Sequence, residues 1–325
     1  MIANPPLVWL LIDDRAGNRS QVMGVAQVLG LPYLKQELEY TAAGALPNMV
    51  LGASFHGLTK NSRINLAPPW PDLVIGAGRR VAPAARYIKE KSGGKTFVCQ
   101  IMYPGETGID DLDLVAVPNH DKISPRPNFL AITGAPHPVT SQRLAEARMD
   151  WEARLAHLPA PRIALIVGGS TKRREFTNAL ARDLGGRAAA LARQAGGSLM
   201  ITTSRRTGEG PQSELLNSVA GVPAHVFTWG DKGDNPYFGY LALADAIIVT
   251  GDSVSMCSEA CATSAPVYIY APKALTVHKH GVLHQELYAK GYARPLGDSL
   301  ESWTHEPLNA ADGIAVEIRK RLGLS

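Results

Sequence analysis

A two-domain α/β protein built on parallel sheets is the fold class this sequence predicts, and three observations predict it. The chain has 325 residues, too many for one small domain and suited to two of ordinary size. Apolar residues make up 45% and charged residues 19%, which leaves ample material to bury and excludes disorder or a coiled coil. Short runs rich in Val, Ile and Leu recur along the chain. Each leads through a Gly-rich turn into a stretch of helical periodicity, the alternation that produces parallel sheets with helical crossovers.

In the first half the strand runs fall at residues 7–12, 72–75, 96–101, 112–117 and 128–132, with helices at 18–29 and 81–91. Pro83 lies in the first turn of the second helix, where its missing N–H is harmless. Residues 140–158 are polar, rich in Ala, Arg and Glu, with apolar residues at helical spacing, and run into Pro159-Ala160-Pro161. That pattern reads as a connecting helix and a stiff linker. Strands follow at 162–167, 198–202, 225–227, 246–249 and 267–270, and helices at 177–194, 237–243, 255–263 and 310–322. The expected domains are 1–138 and 162–300, joined by 139–161. The last segment, 301–325, closes the second domain or packs back on the first.

Composition narrows the function classes. With 33 basic and 29 acidic residues the net charge is +4, too evenly mixed for a dedicated nucleic-acid binder but compatible with a phosphate or an anionic membrane face. The three cysteines, Cys99, Cys257 and Cys261, give neither a disulfide framework nor a C-x-x-C metal module. The apolar run at 7–12 is far short of the ~20 residues of a spanning helix, and no signal-peptide pattern precedes it. The expected location is cytoplasmic, with peripheral contact at the inner membrane face as a further option.

Four segments carry candidate chemistry. Gly76-Ala77-Gly78-Arg79-Arg80-Val81 follows a strand, but it lacks the third glycine of a dinucleotide loop and reads as a tight turn rather than a nicotinamide site. Gly168-Gly169-Ser170-Thr171 follows another strand and precedes Lys172-Arg173-Arg174. Its glycines let backbone N–H groups approach an anion, though the full ATP-type phosphate loop is missing. Thr202-Thr203-Ser204-Arg205-Arg206-Thr207 offers a second anion site at the next strand end. The sharpest segment is 246–260. There a buried strand turns through Gly251-Asp252-Ser253 into a helix carrying Ser255, Met256 and Glu259. Glu259 is placed either to hold ribose hydroxyls or, more simply, to act as a helix-start acid.

Three of these segments, Gly76-Ala-Gly-Arg-Arg80, Gly168-Gly-Ser170 and Gly251 through Glu259, with Asp13 through Gln21 (D-D-R-A-G-N-R-S-Q), Val117-Pro-Asn-His-Asp121, Thr133-Gly-Ala-Pro136 and Asp234-Asn-Pro-Tyr-Phe238, resemble a family of bacterial proteins homologous to a plant mitochondrial-fission factor named for elongated mitochondria. Members are often catalogued as glycosyltransferases or, loosely, as nucleoside-diphosphate-sugar epimerases. The resemblance implies the GT-B type of fold, two Rossmann-like domains with parallel sheets facing an interdomain cleft. It also implies a sugar nucleotide in the second domain, an acceptor in the first, and no metal. The donor set is then Gly168, Gly169, Ser170, Thr171, Ser204, Arg205, Asn235, Asp252, Ser253, Ser255, Met256 and Glu259. The acceptor side is Gly17, Asn18, Gln21, Gly76, Gly78 and Arg79. Two places depart from the family pattern: Asp14, where glycine is usual, and residues 102–105, which lack the acid or arginine often found around the proline.

A metal-free transfer needs fixed donors for the departing diphosphate and a base for the acceptor proton. Asp13, ending the first strand, is the first choice of base, with His120 and Asp121 behind it; helix capping is the plainer role for Asp13. Asp111-Leu112-Asp113 has the spacing of a metal-binding acid pair but sits against a strand, and His278, His280 and His284 lack four-ligand spacing. The expected activity is transfer of a sugar from a nucleotide-diphosphate donor to an envelope glycan or lipid-linked acceptor without a cofactor. The alternative is a non-catalytic nucleotide-sugar-binding scaffold or recruitment protein. The irregular stretch 51–71, with Phe55, Lys60, Arg63 and Trp70, is a candidate membrane contact or an ordinary surface loop packed inward.

Overall fold

A computed structural model describes residues 5–324. The chain divides into two compact units, residues 1–138 with 309–325, and residues 139–308. Each is built on a six-stranded, wholly parallel sheet.

In the first unit the strands are β1 (Val8–Ile12), β2 (Tyr33–Glu37), β3 (Leu73–Ala77), β4 (Phe97–Ile101), β5 (Leu114–Pro118) and β6 (Phe129–Ile132), in the order β2-β1-β3-β4-β5-β6. The central strands β1, β3 and β5 are buried along their whole length, which is why they read as unbroken apolar runs. One face is covered by α1 (Ala16–Leu29), whose Val22, Val25 and Leu29 pack on Leu10, Ile75 and Ile101. Gly30, at φ 67°, ends this helix in a left-handed cap. Short helices α2 (Asn48–Leu51) and α3 (Lys60–Asn65) precede α4 (Ala82–Lys91), which covers the other face with Val81 and Ile88 against Leu11, Val74 and Val98.

The second unit opens with α5 (Ser141–Trp151), capped by Thr140 accepting from the Arg143 amide. Strands β7 (Arg162–Val167), β8 (Ser198–Thr203), β9 (Ala224–Phe227), β10 (Ala246–Thr250), β11 (Val267–Tyr270) and the two-residue β12 (Arg294–Pro295) pair in the order β12-β11-β10-β7-β8-β9. Helices α6 (Asn178–Gln194), α7 (Glu209–Ser218), α8 (Tyr237–Leu243), α9 (Val254–Ala260) and α10 (His278–Ala289) cross between them. The segment 140–158 therefore belongs to this unit: Leu144 and Trp151 of α5 pack into the same core as Tyr240 and Leu241 of α8. The final helix, α11 (Ala310–Leu322), belongs to the first unit, where Ile314 and Ile318 join the core beside Val22 and Leu29. Arg319 ties it down by donating to the Leu29 carbonyl at 2.7 Å.

Both sheets reverse their winding once. In the first unit the reversal lies between β1 and β3, and in the second between β7 and β10. The second order is that of a Rossmann sheet, in which neighbouring crossovers leave in opposite directions and open a crevice at the carboxyl ends of the two strands. Among the described residues no helix is long and apolar enough to cross a membrane.

Candidate functional site

The carboxyl ends of β7 and β10 flank the reversal of the second sheet, and β8 lies beside β7. Gly168 and Gly169 follow β7, Ser204 through Thr207 follow β8, and Gly251 through Ser253 follow β10. Parallel strands place all three turns on one edge, so most of the donor set read from the sequence converges there.

The turns are tied by a buried polar network. The Gly168 amide donates to Thr250 Oγ1 at 2.7 Å, and the Gly169 amide to Asp252 Oδ2 at 3.0 Å. Ser204 Oγ and Thr207 Oγ1 donate to the Gly168 carbonyl at 2.7 and 2.5 Å. The Asp252 side chain is fully buried and lies 2.7 Å from Nη1 of Arg206, which also donates to the carbonyls of Gly169 and Ser170. Only glycine fits at 169, because a Cβ there would enter the Arg206 backbone.

Several hydroxyls expected to meet a ligand are already engaged in shaping these turns. Ser170 Oγ accepts from the Phe176 amide at 3.0 Å, and Thr171 Oγ1 accepts from the amides of Arg173 and Arg174. Ser253 is the N-cap of α9, accepting from the Met256 amide at 3.4 Å. Ser255 and Met256 are half-buried in that first turn, and the Ser255 side chain makes no hydrogen bond among the described residues.

Because Ser253 is the cap, Glu259 stands too far along the helix to be its capping-box partner. Its Oε2 instead accepts from the Tyr237 hydroxyl at 2.5 Å. Burial and the adjacent Glu259 carboxylate raise the Tyr237 hydroxyl well above the ordinary tyrosine range, so it stays a donor. Asn235, exposed, accepts from the Tyr237 amide at 3.0 Å and so sets the start of α8. Of the D-N-P-Y-F segment it is Tyr237, not Asn235, that reaches the α9 side of the site.

Sequence reasoning chose Arg205, but its side chain is exposed and makes no bond among the described residues, while Arg206 carries the network. Two adjacent arginines in a turn look alike in sequence, and only the pairing with Asp252 separates them. His280, in the first turn of α10, was weighed only as a metal ligand. Its Nδ1 is buried without a hydrogen-bond partner among the described residues, and burial lowers its pKa although Asp252 favours the charged form. The buried thiols Cys257 and Cys261 are pushed up by burial, which leaves them unreactive.

In the first unit, Asp13 follows β1 at the reversal and is 2% exposed. Oδ1 accepts from the Arg15 amide at 3.0 Å, and Oδ2 from Asn18 Nδ2 at 2.8 Å with Arg80 3.5 Å away. Arg80 also pairs with Asp14 and lies over the Tyr40 ring, 4.2 Å from its centroid. The buried Tyr40 hydroxyl has no hydrogen-bond partner among the described residues, and burial with the Asp13 carboxylate beside it raises its pKa. Gly78 takes φ 82° where Asn18 crosses it, and Gln21, buried, reaches Met102 Sδ at 3.9 Å.

Gly76 packs under Val81, where a Cβ would meet the Val81 side chain at 2.5 Å; Gly17 is exposed. Arg79 is committed to the carbonyls of Ala45 and Leu46 and to Asn48 Oδ1. His120 is buried in the turn after β5, 3.8 Å from Asp121. With two strands between β1 and β5, the strand ends bearing Asp13 and His120 are ~14 Å apart, so they belong to separate places on the edge.

The remaining candidates find structural roles. Asp111 pairs with Arg86 at 2.7 Å and Asp113 with Lys89 at 2.7 Å, while Asp113 Oδ2 also accepts from the Val98 amide. In the 51–71 stretch Phe55 packs on Tyr87, Trp70 on Trp9, and Arg63 donates to carbonyls of its own loop. The aromatic residues of that stretch therefore face inward.

Two Rossmann-like units with these sheet orders define the class of GT-B type proteins, and solved structures agree. MurG from Acinetobacter baumannii matches with a TM-score of 0.52, 15% identity, 97% of this chain and 100% of that chain. A UDP-GlcNAc 2-epimerase from Methanocaldococcus jannaschii, solved with UDP-GlcNAc and UDP, matches with 0.56, 12% identity, 98% and 100%. At such identities the likeness is one of fold. The chain belongs to the family described as Mitochondrial fission ELM1, which matches residues 16–322. Mitochondrial fission protein ELM1 of Arabidopsis thaliana is 28% identical over 298 residues, covering 84% of this chain and 69% of that protein.

Proposed function

We propose that this protein binds a nucleotide-diphosphate sugar in its second unit and transfers the sugar, without a metal or cofactor, to a hydroxyl of an envelope glycan or lipid-linked acceptor. The observation that carries the reading is the convergence of Gly168, Gly169, Arg206, Ser255 and Glu259 on the winding reversal of a Rossmann-ordered sheet, where such sheets take their ligands. In this reading Arg206 and the amides and hydroxyls of the first α9 turn face the diphosphate, and Glu259, steadied by Tyr237, takes the ribose. Fixed dipoles that need no reorganisation stabilise the departing diphosphate. That MurG and a UDP-GlcNAc-bound epimerase share the fold fits a uridine sugar nucleotide as donor.

Asp13 is the proposed base, with Asn18 and Gln21 beside it for the acceptor. One observation favours the second reading, a sugar-nucleotide-binding scaffold without turnover. Both Asp13 oxygens are engaged by Arg15, Asn18 and Arg80, as befits a carboxylate that organises a turn. The relationship to a plant fission protein accords with that role.

Isothermal titration with UDP, UDP-GlcNAc and other sugar nucleotides tests the binding shared by both readings, and absence of binding to all of them overturns both. Release of UDP on addition of glycan or lipid-linked acceptors then separates transferase from scaffold.

A further inference from the structure

We infer that a cavity in the second unit, beside the turn that follows β10, is a binding site for a neutral saccharide. It encloses about 380 Å³, within the range of small-molecule sites, at the carboxyl ends of β11 and β12 between α6 and α10. Its chemistry selects the ligand.

Asp183 is fixed by the Tyr270 hydroxyl, which donates to Oδ2 at 2.8 Å. One turn along α6, Arg187 commits Nη2 to the carbonyls of Leu296 and Gly297, at 2.8 and 3.3 Å; the other edge of its guanidinium makes no bond among the described residues. Across the cavity, Gln285 is exposed, and neither its side chain nor the buried Thr276 Oγ1 has a hydrogen-bond partner among the described residues. A phosphate would face the Asp183 carboxylate with a single, partly committed arginine to offset it. A hydrocarbon would bury these polar groups unpaired. A ring of hydroxyls, each able to donate and accept, satisfies a carboxylate, an amide, a guanidinium edge and a hydroxyl together.

The cavity also touches the nucleotide edge. Ala271 and His284 line it, and His284 Nε2 lies 2.9 Å from the Gly251 carbonyl. The saccharide is therefore either the sugar of a nucleotide donor or a separate glycan, two sources of one chemistry.

The test is saturation-transfer NMR on the full chain with free N-acetylglucosamine and glucose. Gly281→Leu blocks the cavity without breaking a hydrogen bond, since a Cβ at Gly281 would meet only Thr276 Cγ2, at 3.9 Å; Gln285→Ala removes one contact. The expected results are saturation transfer in the parent, none in Gly281→Leu of unchanged melting temperature, and about fivefold weaker binding in Gln285→Ala, the size of one neutral hydrogen bond. Displacement by UDP-GlcNAc but not by UDP assigns the cavity to the donor's sugar. Simultaneous binding of free sugar and UDP-GlcNAc assigns it to a separate glycan. The readout is sugar binding alone, so it stands whether or not nucleotides bind. No transfer to either sugar in the parent, or equal transfer in a folded Gly281→Leu, overturns the inference.

Discussion

Asp252 and Arg206 form an ion pair at 2.7 Å in which the carboxylate side chain is wholly buried and the guanidinium side chain is 36% exposed. Through it and the Gly169 amide, one carboxylate ties together the turns after β7, β8 and β10. The asymmetry of exposure sets the order of mutational effects. Arg206→Ala strands a buried carboxylate and is expected to cost about 2–4 kcal/mol, less than a wholly buried pair because water screens one end. Asp252→Asn keeps an oxygen for the Gly169 amide and should cost about 1–2 kcal/mol. Urea unfolding of both variants measures the order, and an Asp252→Asn protein less stable than Arg206→Ala contradicts the account.

Glu259 and Tyr237 make a second testable pair. If Glu259 holds a ribose, Glu259→Ala lowers affinity for the nucleotide by about 1–3 kcal/mol while leaving the fold intact. Tyr237→Phe then gives a smaller loss in the same direction, because the carboxylate remains but is less well oriented. Calorimetric titration with UDP-GlcNAc decides it: equal affinity in parent and Glu259→Ala removes the ribose role.

The strands were legible where burial on both faces forces an unbroken apolar run, as in Leu73–Ala77 or Ala246–Thr250. What escaped was polar or interrupted. Strand Tyr33–Glu37 lies at a sheet edge with four of five residues exposed, so no hydrophobic period marks it. Helix Glu209–Ser218 carries Gly210 and Pro211 in its first turn, and His278–Ala289 opens on three basic side chains and Gly281; both obscure a helical stripe. The donor turns were readable because glycines and hydroxyls at strand ends are a local signal. The choice of Arg206 over Arg205, and Tyr237 as the partner of Glu259, depends on contacts between distant segments that no local pattern encodes.

Gly24 illustrates a packing constraint with a sharp outcome. A Cβ there would stand 2.5 Å from the His137 backbone, and neither the helix nor that loop has a flexible side chain to move aside. Gly24→Ala is expected to destabilise the first unit by about 1–3 kcal/mol despite the better helix propensity of alanine. A thermal melt at or above that of the parent refutes the close approach.

Two histidines give the pH dependence a sign. Burial lowers the pKa of His225, whose Nδ1 lies 2.5 Å from the Tyr240 hydroxyl, and of His280. Their folded values lie below the ordinary 6.5, so below about pH 7 the unfolded chain binds more protons than the folded one. Stability should be level above that and decline as the pH falls toward roughly 5. Replacing both histidines by Gln should flatten this part of the profile in urea titrations; an unchanged slope would place the effect elsewhere.

Independence from divalent metal is the prediction that bears most on mechanism. The acid pair with metal-binding spacing, Asp111 and Asp113, is bound to Arg86, Lys89 and the Val98 amide, contacts that occupy one oxygen of Asp111 and both of Asp113. At the proposed donor site the guanidinium side chain of Arg206, paired with Asp252, is 36% exposed beside the glycine turns. In the proposed reading the diphosphate charge is met by that guanidinium and the amides of the first α9 turn. Binding of UDP-GlcNAc, and UDP release if an acceptor supports it, should therefore be the same in EDTA as in buffer with Mg²⁺ or Mn²⁺. Asp111→Asn with Asp113→Asn should reduce stability but not nucleotide affinity. Binding that is lost in EDTA and restored by Mn²⁺ would refute the metal-free site, and loss of affinity in the double variant would move the metal to that pair.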